Sequence, residues 1–235
     1  MLLNSSNFER IILVYVSQLL FSIIFLYTAY KILKRNRNRL TLTLSGFYIT
    51  ISIGFILNAV YLPFETNPLA IILVLLASFF ILLGPIFLVL FNINILETEK
   101  TKISQKTYIY IVSYIIILVL CLLLPEGITI NETTEWRPVF SWIFLIIIYI
   151  FISLFILLPL FFLSIKLFTS FQDKNLKNKL KFFFFGIFGL ALTLYGLVLY
   201  NTWENEIFKS IWSIMTSVII ITSTALIYYA WIHRL

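Results

Sequence analysis

Long unbroken runs of apolar residues dominate the chain, and short segments rich in Lys, Asn, Thr and Glu separate them. A helix rises about 1.5 Å per residue, so about 20 apolar residues cross the roughly 30 Å hydrocarbon core of a bilayer. Seven stretches meet that length: 11–30, 40–62, 69–91, 108–124, 139–165, 182–201 and 211–232. They contain no Asp, Glu, Lys, Arg or His. Because the runs are apolar all round, they predict helices surrounded by lipid or protein rather than amphipathic surface helices. The expected fold is an all-α bundle of seven transmembrane helices, one integral membrane domain over 1–235. The connecting segments are too short to bury a core of their own. No attached soluble catalytic domain is expected within the 235 residues.

Composition agrees with the pattern: 61% of residues are hydrophobic and 11% charged, against about 45–50% and about 25% in soluble domains. The net charge of +7 is unevenly spread. Lys31, Lys34, Arg35, Arg37 and Arg39 follow the first run. Lys100, Lys102 and Lys106 follow the third, and Lys166, Lys174, Lys177, Lys179 and Lys181 follow the fifth. Arg234 lies in the C-terminal tail on the same side. Basic loops stay in the cytoplasm, so the N-terminus is expected outside, the C-terminus inside, and the protein in the cell membrane. Most acids, including Glu65, Glu126, Glu132, Glu135, Glu204 and Glu206, then fall outside. Trp136, Trp142, Trp203 and Trp212 fall near the outer boundary and Trp231 near the inner one, as an aromatic belt requires. The basic face predicts contact with the lipid bilayer, not with nucleic acid. No basic segment precedes the first run, so it is expected to be retained and not cleaved as a leader. Cys121 is the sole cysteine, so no intrachain disulfide is expected.

The charge-free spans exclude much chemistry, since intramembrane function usually needs ionisable groups. No lysine is available for a Schiff base in the last span, and no paired carboxylates for proteolysis. His233 is the only histidine, so neither a zinc site nor a bis-histidine haem site is expected. We therefore expect no enzyme activity, no cofactor and no metal.

The polar residues inside the spans are hydroxyls, amides and glycines. Gly46, Thr50, Gly54 and Asn58 share one face of the second span; Gly189, Thr193, Gly196 and Tyr200 share one of the sixth; Ser213, Ser217, Thr224 and Tyr228 share one of the seventh. Such stripes either pack helices closely or line a pocket, and packing is the commoner role. The candidate ligand-binding residues are Asn58, Gln18, Thr193, Ser217 and, at the outer surface, Trp136. A buried amide such as Asn58 needs partners, which makes it the first candidate. Pro85, after Gly84, and Pro159 each remove a helix hydrogen bond and are expected kink or hinge points. Residues 166–181 set Phe168, Phe171, Leu176 and Leu180 among lysines, as a basic amphipathic helix on the inner leaflet does. Arg35, Arg37, Lys174 and Lys177 are the expected contacts to lipid or to a cytoplasmic signalling partner.

Three stretches resemble the seven-helix N-terminal sensor module of prokaryotic histidine kinases. They are Gly84-Pro85 through Phe91, Trp136-Arg137-Pro138 leading into the fifth span, and Lys166 through Lys181 into the glycine-bearing sixth span. The layout covers nearly the whole chain, but no kinase follows within it. The resemblance implies a free-standing receptor-like module and supplies no site residues. G-protein-coupled receptors share the topology and a proline in the fifth span, but the chain has neither Asp-Arg-Tyr after the third span nor Asn-Pro-x-x-Tyr in the seventh. The layout is also similar to the PQ-loop sugar carriers, two triple-helix units about a fourth linking helix, yet no Pro-Gln dipeptide occurs.

The leading expectation is a receptor-like or sensor-like protein that passes a helix shift to a separate cytoplasmic partner. The alternatives are a small-solute carrier of 3+1+3 architecture and a structural or assembly subunit. A pocket opening outward between the second, third, sixth and seventh helices is expected of a sensor. A midplane cavity between two triple-helix units is expected of a carrier.

Overall fold

A computed structural model describes residues 16–97 and 104–232, with side chains described to residue 230. Arg10, Glu9, residues 11–15 of the expected first span, Glu99, Lys100, Lys102, the Trp231 side chain, His233 and Arg234 lie outside the described residues. Seven helices are long and apolar enough to cross a membrane: α1 Val16–Arg35, α2 Arg39–Phe64, α3 Leu69–Leu96, α4 Gln105–Leu122, α5 Trp142–Ser170, α6 Lys174–Thr202 and α7 Glu206–Ala230. Between α4 and α5 a short hairpin pairs β1 Ile128–Thr129 antiparallel with β2 Val139–Phe140.

Five of the seven helices start where a side chain caps them and not where the apolar run starts; α3 starts with its run at Leu69. Asn38 accepts from the Thr41 amide at 2.9 Å and heads α2. Ser104 caps α4 through the Thr107 amide, Ser141 caps α5 through the Phe144 amide, and Asp173 caps α6 through the Asn175 amide. Asn205 accepts from the Phe208 amide at the start of α7. Each cap satisfies a first-turn N–H that would otherwise lack a partner. Three expectations change accordingly. Residues 139 and 140 are strand rather than helix, because Ser141 begins α5. Lys174–Leu180 is the first part of α6, so residues 166–181 form no separate surface helix. Residues 123 and 124 fall after α4, which instead begins earlier than the apolar run.

Neighbouring helices run antiparallel, as their contacts require. Gln18, Ser22 and Ala29 on α1 meet Asn58, Ser52 and Ser45 on α2. The basic segments around 31–39, 106 and 166–181 therefore share one end of the bundle. Glu65, Glu126, Glu132, Glu135, Glu204 and Glu206 share the other.

The core is aromatic and aliphatic: Phe25, Phe47, Tyr48, Phe91, Tyr114, Phe144 and Phe183 are wholly buried. The outer surface is apolar too. Phe185 is 70% exposed, Ile214 70%, Ile143 66% and Phe162 65%. A water-facing surface would cover side chains of this size, so these faces suit a hydrocarbon solvent.

α3 and α5 are not continuous. α3 is α-helical over Leu69–Leu83 and again over Ile86–Leu96, with Gly84-Pro85 between. α5 runs Trp142–Ile152, widens into a π turn at Ser153–Leu157, and resumes at Leu158–Ser170 with Pro159 in its first turn. The Leu158 N–H reaches the Ser153 carbonyl, five residues back. Pro159 has no N–H to offer, and the wider turn absorbs the resulting mismatch.

Candidate functional site

A cavity of about 80 Å³ lies at mid-depth in the bundle. α1, α2, α3, α5, α6 and α7 all contribute to its wall, and α4 does not. Phe25, Phe47, Ile51, Ile81, Ile156 and Leu194 make it apolar, and Pro85 forms part of it. The hydroxyl-bearing residues in the wall are Thr193 and Thr216. It thus sits between the first three and the last three spans, the position set out above for a carrier.

The expected site residues are dispersed. The Asn58 amide donates to the Gln18 carbonyl oxygen at 2.8 Å, so the two leading candidates are partners across α1 and α2. Neither lines the cavity. Thr193 does, with its hydroxyl donating to the Leu190 carbonyl at 2.7 Å. Ser217 donates to the Ser213 carbonyl of its own helix and is not in the wall. Trp136 is in the loop after the hairpin's first strand, half-buried, with its main-chain N–H on the Asn131 carbonyl at 2.9 Å. Glu135 and Trp136 adopt left-handed φ of 51° and 58°, a conformation that non-glycine residues rarely hold. The Glu135 carboxylate pairs with Arg137 at 3.1 Å. Arg35, Arg37 and Lys174 are exposed at the basic end. The Lys177 ammonium lies 5.4 Å from the centre of the Phe168 ring, a cation–π contact across the α5–α6 corner.

The small-residue stripes are mainly packing surfaces. A Cβ at Gly54 would meet Ile81 at 2.6 Å, one at Gly46 would meet Phe87 at 2.8 Å, and one at Gly84 would meet Ile51 at 2.5 Å. α2 and α3 therefore touch through glycine on both sides. A Cβ at Gly189 would collide with Ser223, and one at Gly196 would lie within the Trp212 ring. Glycine lets these backbones approach, as small residues do in lipid-facing bundles.

Sequence reasoning missed the tyrosines. Tyr114 donates to the Leu82 carbonyl of α3, and Tyr110 to the Phe155 carbonyl of α5. Phe155 is four residues before Pro159, so its carbonyl is the one the proline cannot serve. Leu82 is three residues before Pro85, at the end of the first α3 segment. Tyr110 and Tyr114 are one turn apart on α4, which thus touches the backbone of both broken helices. A second set joins α5 to α6: Tyr149 donates to the Tyr195 carbonyl at 2.8 Å, and the Ser153 and Tyr195 hydroxyls lie 2.6 Å apart. The available signal was the rule that a mid-span tyrosine hydroxyl needs a partner.

Among the described residues, no three His, Cys, Asp or Glu side chains gather as a metal site. The geometry defines a helical bundle of membrane-spanning dimensions with an apolar cavity at its centre. No protein-family model, curated protein or solved structure matches the chain.

Proposed function

We propose that this is a receptor-like, multi-pass protein of the cell membrane, with its N-terminus outside and its basic end in the cytoplasm. A molecule in the cavity bears on the broken α3, and the segment Ile86–Leu96 carries the shift to a cytoplasmic partner at the basic end. One observation carries this reading: Pro85 is both in the cavity wall and at the break of α3. A ligand that differs in its fit to two kink geometries shifts their populations. The basic end offers Arg35, Arg37, Lys174 and Lys177 to that partner or to anionic lipid. Photo-crosslinkers placed at Arg37 and Lys174 in native membranes test the idea. Reproducible capture of one cytosolic protein supports it, and recovery of lipid alone removes the signalling role.

The second reading is a carrier for a small neutral solute, favoured by the cavity's position between the first three and last three spans. Against it, glycines of the expected hydroxyl faces are engaged in packing, and the wall is largely apolar. Saturable uptake of a neutral solute by proteoliposomes would establish the carrier and displace the receptor reading.

A further inference from the structure

We propose that the cavity binds a compact, neutral, mostly apolar molecule with one hydrogen-bond acceptor, a short-chain ketone in the simplest case, and that the Thr216 hydroxyl donates to it. This ligand assignment rests on the receptor-like reading above for its consequence, not for its chemistry.

Hydroxyls within helices in apolar surroundings usually donate to a carbonyl of their own helix. Thr193, Thr202, Ser213, Ser217 and Thr222 do so here, at 2.7 to 3.1 Å. Thr216 does not. Its hydroxyl oxygen is buried and makes no hydrogen bond, and the residue is in the cavity wall. One turn away on the same face of α7, the Trp212 indole nitrogen is also buried without a partner. An indole N–H only donates, and a hydroxyl donates and accepts. Trp212 is not in the cavity wall, so Thr216 is the group that bears on a ligand: its buried O–H hydrogen has no acceptor, and an acceptor in the cavity would supply one. No ionisable residue lines the wall, so a charged ligand would have no counter-charge in a desolvated site.

Size narrows the class further. At about 80 Å³ the cavity is smaller than the roughly 150 Å³ space that admits benzene in an engineered protein. A molecule of a few heavy atoms fits without rearrangement. Water is a poorer occupant, because it needs about 2–4 polar partners and the wall's polar side chains are those of Thr193 and Thr216.

The test uses the full chain in lipid nanodiscs and two probes of one shape, 2-butanone and 2-methyl-1-butene, which replaces the carbonyl oxygen with a methylene. Binding is read by saturation-transfer NMR, with thermal melting as the folding control. Thr216→Val is expected to weaken the ketone about tenfold, in the upper range for one hydrogen bond, and to leave the alkene unchanged. Thr216→Ser is expected to keep ketone binding. Ala191→Leu, which fills the wall from α6, is expected to abolish both. Ketone affinity that is equal in wild type and Thr216→Val overturns the assignment, as does the absence of saturable ketone binding to the wild type. Spin labels at Asn36→Cys and Gln172→Cys, in a Cys121→Ala background, report the basic end separately. Thr216-dependent binding with no change in their distance keeps the ligand site and removes the receptor role.

Discussion

The Tyr114 hydroxyl donates to the main-chain carbonyl of Leu82, three residues ahead of Pro85. One turn away, Tyr110 serves Phe155, four residues ahead of Pro159. A carbonyl left unpartnered in an apolar interior is costly. α4 therefore does more than connect two loops: it satisfies the backbone at two breaks on two other helices.

Tyr114→Phe removes the hydroxyl and keeps the ring, which packs on Phe151 at 4.8 Å between centres. The expected loss is about 1–2 kcal/mol, between the mean for interhelical hydrogen bonds in membranes and the cost of an orphaned buried group. Tyr110→Phe is expected to cost less, because Tyr110 is only partly buried. Unfolding in mixed micelles gives both values. If α4 ties the two breaks together, the double variant will depart from additivity by more than about 0.5 kcal/mol. Strict additivity would mean that each tyrosine supports its own break alone.

Gly196 faces the Trp212 ring with no room for a Cβ. Gly196→Ala is expected to push α7 from α6 and to destabilise the bundle by about 1–3 kcal/mol, the usual cost of overpacking. The same change also moves Trp212, so its fluorescence should shift. An unchanged melting temperature and spectrum would show that the ring yields freely.

The seven spans were legible because hydropathy over about 20 residues reports a solvent, not a fold. Their ends were less so. An apolar window stops at the first charge, whereas α6 begins at its Asp173 cap and runs through four lysines before the apolar part. Asn58 stands out in the sequence as an amide that needs partners and Gln18 as the next candidate, but nothing in one sequence pairs residues 40 positions apart. The cavity was illegible for a different reason. Its wall is made mostly of the same Phe, Ile and Leu that fill the core, so composition cannot separate a lined space from a packed one.

The orientation can be tested with the chain's own cysteine content. Cys121 is the sole cysteine and is buried, so it gives little background to a membrane-impermeant maleimide. Thr133→Cys, in the exposed loop at the acidic end, is expected to label in intact cells. Asn36→Cys, at the basic end, is expected to label only after permeabilisation. The reverse pattern would place the basic end outside, against the positive-inside rule.

Asn58 and Gln18 form one hydrogen-bonded pair near the acidic end, so their roles are best separated by a double-mutant cycle. Asn58→Leu leaves the Gln18 oxygen without its donor, and Gln18→Leu leaves the Asn58 amide without its acceptor. Each single change should therefore cost more than its share of the double change. The expected coupling is about 0.6–1.7 kcal/mol, the range for side-chain hydrogen bonds within a membrane. Since neither residue lines the cavity, neither change should alter ketone binding at Thr216. A loss of ketone binding in Asn58→Leu, with melting unchanged, would mean that the amide pair gates the cavity instead of only joining α1 to α2.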